Sequence, residues 1–306
     1  MRLVSQAHYI PDTRQSITDA ILANGQSIYE AKAFGRLFGF ENVATLADKT
    51  LTHAFETVLG SLDIETDLPD AVIYCHGNPV QYTGDLSPVE ELVKTHPALK
   101  NVEHVFELDQ HTCSTLFWAL DVAQGLLRDG TERVLILAGD SVEKMPLTER
   151  HALGVTAVGD AFAAIMLDDS PNGTQFDDVY LDMRPEFHRG RTADAKQTGE
   201  FNTHHSELVQ QILDNVDRSG SRPTAILPHN VNMLTWQKFA KESGIERKDI
   251  WLDLLPDVGH CYTVDAATHL DRFFESDTMD ATMLSVGQGG FLGGCVLRKE
   301  AEICKL

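Results

Sequence analysis

Cys113 stands in the stretch Glu107-Leu-Asp-Gln-His-Thr-Cys-Ser-Thr-Leu-Phe-Trp-Ala-Leu, where an apolar strand gives way to a turn and a helix begins. A thiol there faces the unpaired first-turn amides and the positive end of the helix dipole, and both favour the nucleophilic thiolate. The competing reading is a small buried cysteine without chemistry, since free cysteine is among the most buried residue types. The second half of the chain favours chemistry. His229, in Pro228-His-Asn-Val-Asn, follows a buried strand and precedes a helix, the place where α/β sheets gather ligands. Its alternative is a structural histidine. Asn232, three residues on, is placed to orient the ring. His260, in Asp257-Val-Gly-His-Cys-Tyr, opens another helix, whose dipole disfavours protonation and predicts a neutral ring. Gly287-Gln-Gly-Gly-Phe-Leu-Gly-Gly runs into the strand Cys295-Val-Leu-Arg, so it is no phosphate cradle, which needs a following helix. It is either a tightly packed hairpin or a turn whose bare amides approach a reacting carbonyl.

A nucleophile, a base and an oxyanion site make acyl-transfer chemistry: thiolate attack on a thioester, with the histidines acting on a second substrate. Cys261, beside His260, is a weaker candidate nucleophile. His8, His204 and His205 lack such a context and read as surface or core residues. No Gly-x-Ser-x-Gly elbow, P-loop or His-Glu-x-x-His motif competes.

These groups need elements to hold them. Apolar runs bounded by turn signals predict strands at 71–75, 104–108, 133–138, 161–167, 178–183, 224–228, 250–255, 281–286 and 294–298. Helical periodicity falls between them at 45–62, roughly 86–96, 114–129, 203–218, 231–243 and 263–275. The N-terminus, Met-Arg-Leu-Val-Ser-Gln-Ala-His-Tyr-Ile-Pro, lacks a signal-peptide core and reads as a first strand. Such alternation predicts an α/β protein with mainly parallel sheets covered by helices. The pattern also repeats. Arg133-Val-Leu-Ile-Leu-Ala-Gly-Asp precedes Gly159-Asp-Ala-Phe-Ala-Ala-Ile-Met-Leu much as Ala281-Thr-Met-Leu-Ser-Val-Gly-Gln precedes Gly290-Phe-Leu-Gly-Gly-Cys-Val-Leu-Arg. Ala71-Val-Ile-Tyr-Cys-His-Gly is likewise echoed by Ala225-Ile-Leu-Pro-His-Asn. Two related halves follow, 1–168 with the nucleophile and 169–306 with the histidines, packed with a site between them.

Composition narrows the function classes. At 306 residues the chain can bury a large core. A formal charge of −21 argues against nonspecific nucleic-acid binding and against anionic membranes. No apolar run reaches the roughly twenty residues of a membrane span. The five cysteines are odd in number and scattered, which disfavours a disulfide framework and predicts a cytoplasmic protein. His204-His205 and His260-Cys261 lack partners at zinc-ligand spacing, so no metal is expected.

In this order the motifs resemble the thiolase superfamily, most closely β-ketoacyl-acyl-carrier-protein synthase III and its relatives. The likeness runs from about residue 45 to 298, strongest in Asp109-Gln-His-Thr-Cys-Ser-Thr, Val158-Gly-Asp-Ala-Phe-Ala-Ala, Pro228-His-Asn-Val-Asn and Gly287 to Gly294. It implies a duplicated five-layer αβαβα fold, with Cys113 as the acyl-accepting nucleophile and His229 as the first active-site histidine. The amides of Cys113 and Gly289 would form the oxyanion hole. His260 stands where synthase III enzymes usually carry asparagine and elongating ketosynthases a second histidine. Ala161 replaces the second glycine of the Gly-Asp-Gly-Ala block, and bulky Phe162 follows in a region the family places near the acyl pocket. The family's arginine-containing coenzyme A segment is not evident around Phe34-Gly-Arg-Leu-Phe-Gly-Phe.

The resemblance implies a homodimer with no resident cofactor, taking an acyl-CoA or the phosphopantetheine thioester of an acyl carrier protein as substrate. The leading expectation is condensation of the Cys113-bound acyl group with a malonyl-type thioester, in a specialised pathway. Transfer to an alcohol, amine or thiol without decarboxylation is the alternative. A non-catalytic partner subunit of a paralogous ketosynthase is the reading from another class.

Overall fold

Ala71-Val-Ile-Tyr-Cys and Val134-Leu-Ile-Leu-Ala carry no polar side chain that would favour one face, as strands covered on both sides require. All of these residues are buried. A computed structural model describes residues 1–62, 68–78, 87–140, 145–152, 155–216 and 224–300, without the side chains of residues 178 and 191.

The chain begins with strand β1 (Arg2–Tyr9), short strand β2 (Arg14–Ser16), helices α1 (Ile17–Ala23) and α2 (Ile28–Phe38), strand β3 (Asn42–Ala44) and helix α3 (Leu51–Gly60). It continues through β4 (Ala71–Cys75), α4 (Pro88–Thr95), β5 (His104–Leu108), α5 (Thr115–Arg128) and β6 (Arg133–Gly139). Two-residue strands β7 (His151–Ala152) and β8 (Thr156–Ala157) lead into β9 (Phe162–Asp168). Then follow β10 (Gln175–Met183), α6 (Ala195–Val216), β11 (Ile226–Pro228), α7 (Met233–Ser243), α8 (Leu255–Val258), α9 (Leu270–Glu275), β12 (Asp280–Gly287) and β13 (Phe291–Arg298).

Nine strands run in the order β11-β12-β13-β10-β1-β9-β6-β4-β5. From the β1–β10 junction the order mirrors itself. β1, β9, β6, β4 and β5 lie on one side; β10, β13, β12 and β11 lie on the other, extended by a bridge from Ile226 to Ile250. The junction is one residue pair, Arg2 with Gln175. Parallel pairing joins β4 to β5 and β6, and β11 to β12. The other ladders are antiparallel, because β12 and β13 are joined by a tight turn and β9 returns beside β6.

The pleat assigns each side chain to a layer. In β6, Val134, Ile136 and Ala138 face a central apolar cluster, whereas Leu135 and Leu137 face an outer one. In β12, Ala281 and Met283 face the same central cluster, and Leu284 and Val286 a second outer one. Helices α5 and α9 fill the middle, with Leu116, Phe117, Leu120, Leu270 and Phe273 in the central cluster. Phe55 of α3 and Leu92 of α4 cover one outer face; Leu208 of α6 and Trp236 of α7 cover the other. These are the five layers of an αβαβα sandwich.

Some expected elements differ. The strand expected at 250–255 is only the Ile250 bridge, because α8 begins at Leu255 with Pro256 in its first turn. The helix expected over 263–275 is broken into 3₁₀ turns at Tyr262–Val264 and Ala267–His269 before α9. β-Branched Thr263, Val264 and Thr268 and turn-favouring Asp265 account for the break. Helix α6 starts at Ala195 rather than 203. Its expected end at 217–218 lies outside the described residues, as does Cys304. Helices α1 and α2 were not foreseen, although the Ser27–Glu30 capping box that starts α2 is legible in Ser-Ile-Tyr-Glu.

Candidate active site

Between β5 and α5 the chain makes a 3₁₀ turn, Thr112–Ser114, which carries Cys113. Thr112 lies in the left-handed region at φ 50°, a conformation costing about 1–2 kcal/mol outside glycine. Its carbonyl accepts from Thr115 Oγ1 at 2.7 Å and from Thr263 Oγ1 at 3.2 Å, which holds the turn in place. The second central turn opens the same way, with Tyr262 at φ 52°. The glycine loop presses on the Cys113 turn from the other side. A Cβ on Gly287 would overlap Thr112 Oγ1 and the His111 carbonyl. Gly287→Ala is therefore expected to destabilise the fold by about 2 kcal/mol and to slow Cys113 alkylation. An unchanged thermal midpoint would show that the loop backs away freely.

Cys113 is buried, and its Sγ lies 3.3 Å from His260 Nε2. His260 Nδ1 lies 2.5 Å from Asp265 Oδ2. The same oxygen accepts from the Asn230 amide at 2.7 Å, and Oδ1 accepts from the Cys261 amide at 2.7 Å. The carboxylate is thus fully engaged and fixed. Burial opposes a charge on His260, but Asp265 and the Cys113 sulfur override it and raise the ring's pKa well above the usual imidazole range. This corrects the expected neutral ring: the three-residue turn that follows His260 carries a small dipole, whereas the carboxylate is in direct contact. Asp265 was missed. Its signal was a lone carboxylate within Val264-Asp-Ala-Ala, since a buried charge requires a partner.

His229 follows β11 as expected, and Trp236 Nε1 donates to its carbonyl at 2.9 Å. Its Nε2 lies 3.2 Å from Nε2 of His205, and its ring centroid is 6.2 Å from that of His260. Burial lowers His205 to about 4, helped by Lys238, and carries His229 well below the usual range, helped by His205 and His260. Of the two readings left for His205, surface or core, the structure shows the core one, and it adds a place in the cavity wall. It sits on the buried stripe His205, Leu208, Val209, Ile212 of α6, an i, i+3, i+4, i+7 face that turns it toward His229. Asn232 does not orient His229. Its Oδ1 caps α7 by accepting from the Thr235 amide at 2.8 Å, and its Nδ2 donates to the Val155 carbonyl at 2.8 Å.

Cys113, His205, His229 and His260 line one cavity of about 180 Å³. Val155, Phe201, Val231 and Val286 supply apolar wall, and Asn202 and Gln288 polar wall. Among the described residues, no cluster of three His, Cys, Asp or Glu side chains is arranged to hold a metal ion.

No family model and no curated protein matches the chain. Solved structures do. One is the β-ketoacyl-[acyl-carrier-protein] synthase III of Thermus thermophilus, 16% identical over 98% of this chain and 99% of that one, with TM-score 0.80. Another is the acyltransferase ChlB3, 19% identical over 97% of both chains, TM-score 0.78. A variant of Xanthomonas campestris OleA bound with cerulenin is 14% identical over 97% and 96%, TM-score 0.77. The fold is the thiolase-like one of ketosynthase III.

Within that ketosynthase III fold several expected positions change. Phe162 is not at the cavity: it packs on the outer face of the sheet against Phe55 and Tyr9. Gln288 lines the cavity and Gly289 does not; Gly289 lies instead against Gly190, in the turn closed by the Gly290 amide on the Gly287 carbonyl. Cys261 is buried off the cavity, and burial pushes its thiol well up, which removes it as a competing nucleophile. His204 and His8 stay outside the site, His8 3.1 Å from Asp271. No helix among the described residues is long and apolar enough to cross a membrane.

Buried neutral imidazoles couple this architecture to pH. His205 and His269 are held to about 4, chiefly by burial, and His229 lies well below the usual value. Such rings bind fewer protons folded than unfolded. Their contribution is complete above the unfolded value near 6.5 and is lost as pH falls toward 4. His260 acts oppositely: its raised value adds stability below about 6.5 that disappears at higher pH. His205 and His269 each cost about 2–3 kcal/mol at pH 4.5, so the unfolding midpoint is expected to drop by several degrees between pH 7 and 4.5. A level midpoint would mean that these rings are not held neutral.

Proposed function

We propose that the protein is an acyl-thioester transferase that carries its acyl group on Cys113 and passes it to a hydroxyl, amine or thiol acceptor. The observation that carries this reading is the line Cys113–His260–Asp265. An imidazolium Nε2 donating to sulfur favours the thiolate. That thiolate attacks the carbonyl carbon of a donor thioester. As the donor C–S bond breaks, its thiolate leaves with the Nε2 proton of His260. His260 is then a neutral base whose Nδ1–H is held by Asp265 and whose Nε2 lone pair faces the acyl group. An acceptor X–H gives its proton to that nitrogen while X attacks, and the C–S bond to Cys113 breaks. Backbone amides of the Cys113 turn and the adjacent glycine loop are the donors available for the oxyanion. The donor in this reading is an acyl-CoA or carrier-bound phosphopantetheine thioester, in keeping with the acyltransferase and synthase III neighbours.

Malonyl condensation needs neutral ring donors for the enolate. The Asp265 contact commits Nδ1–H of His260 and leaves Nε2 an acceptor once the cysteine is acylated, which suits a base better than an enolate donor. The test offers acyl-loaded protein either a malonyl thioester or a panel of alcohols, amines and thiols. Acyl transfer to the panel without carbon dioxide release is the expected result. Carbon dioxide released in step with a ketoacyl product would restore the condensing reading. Failure of every donor to label Cys113 would remove both.

A further inference from the structure

The ring of His260 is held by Asp265, but its backbone is held by a different segment. The His260 amide donates to the Ala157 carbonyl at 2.8 Å, and the Gly159 amide donates to the His260 carbonyl at 3.0 Å, a parallel bridge opposite Val158. The bridge has no slack. A Cβ on Gly159 would lie 1.9 Å from the Val258 carbonyl oxygen. One on Gly259 would crowd the Ala157 carbonyl at 3.0 Å and the Gly159 amide at 3.2 Å. A shift of residues 157–159 is therefore passed to the His260 backbone, and with it to the ring that meets Cys113 at 3.3 Å.

Arg150 grips that segment from the other side. Its carbonyl accepts from the Val158 amide at 2.7 Å, and its Nη1 donates to the Val158 carbonyl at 3.3 Å. The same guanidinium meets Asp160 side by side, Nη1 on Oδ1 at 2.9 Å and Nη2 on Oδ2 at 3.0 Å. Asp160 is anchored in turn to β3 and the loop after it. Its amide donates to the Ala44 carbonyl at 2.9 Å, and Oδ2 accepts from the Leu46 amide at 2.7 Å. Both charged side chains are buried. A buried ion pair adds little stability, because desolvating two charges offsets most of their attraction. What a two-pronged pair supplies is direction, since it admits one geometry. The backbone fixed here, between Arg150 and Asp160, is the stretch that carries His260.

We propose that Arg150 is a positioning residue of the transfer reaction, acting through Ala157–Gly159 to set the contact between His260 and Cys113. This rests on His260 being the group that activates Cys113. The test compares Arg150→Lys with the double variant Arg150→Met/Asp160→Asn. The double variant removes one charge of each sign, so the net charge is unchanged, and Asp160→Asn keeps an acceptor for the Leu46 amide. The readouts are the thermal midpoint, the rate of Cys113 alkylation by iodoacetamide at neutral pH, and kcat and KM with an acyl-CoA that labels the unaltered protein. In the folded double variant alkylation is expected to slow and kcat to fall about 100-fold, the cost of misplacing a catalytic group by about 1 Å, with little change in KM. Arg150→Lys, which keeps the charge but not the two-pronged geometry, falls between. A folded double variant that retains the original kcat and alkylation rate overturns the proposal. Failure of both variants to fold also overturns it, by making the pair an element of stability. If no acyl donor labels the unaltered protein, the transferase reading falls, and the alkylation rates still decide whether Arg150 positions His260.

Discussion

Cys113→Ala is expected to carry no acyl group after incubation with any thioester donor, under conditions where the unaltered protein gains one acyl mass. Turnover should fall by at least about 10⁴-fold, the scale on which covalent catalysis collapses when its nucleophile is removed. The reason is geometric. Cys113 is the thiol within reach of His260, at 3.3 Å, and it lines the cavity. The other described cysteines, Cys75, Cys261 and Cys295, are buried with thiols pushed up by burial, so none can take over. Replacing the thiol by hydrogen removes one heavy atom, and the fold should persist. Acylation surviving in the variant would move the carrier elsewhere and dissolve the proposed mechanism.

Asp265→Asn should come next in size, with transfer reduced by about 10³–10⁴-fold, as when the orienting carboxylate of a catalytic triad becomes an amide. The carboxylate contributes more than orientation. It is the leading reason that His260 stays protonated against the opposing effect of burial. Without it burial prevails, the ring loses its proton, and the sulfur loses its cationic partner. Iodoacetamide alkylation of Cys113 should therefore slow at neutral pH. An asparagine NH₂ facing Nδ1 would also favour the tautomer with Nε2–H, which cannot accept a proton from the acceptor. A variant that keeps the original rate and pH profile would reduce Asp265 to a hydrogen-bond anchor for the Asn230 and Cys261 amides.

The parts of this site carried by local grammar were legible in the sequence. Cys113, His229 and His260 each sit where an apolar run breaks, and that junction is visible in a dozen residues. The layered fold was legible for the same reason, from fully apolar runs such as Ala71–Cys75 alternating with helical stripes. His205 was not. Its partner lies 24 residues away on another element, and only the docking of α6 beside β11 brings the rings together. Asn232 shows the reverse error. Its proximity in sequence suggested a contact with His229, but an asparagine just before a helix satisfies the first-turn amides, and that demand prevailed. For His260, the sequence offered a helix start as the nearest electrostatic influence, and five residues further on lay the stronger one. Proximity along the chain is a poor guide to which charge dominates a buried ring.

The mirrored strand order has one further effect, felt during synthesis. Cys113 belongs to the set of strands completed by β9 at Asp168, whereas His260 and Asp265 emerge only after β11. A chain still on the ribosome therefore carries Cys113 before His260 and Asp265 have been made. In the proposed mechanism the thiol acquires its partner only when the second set of strands docks.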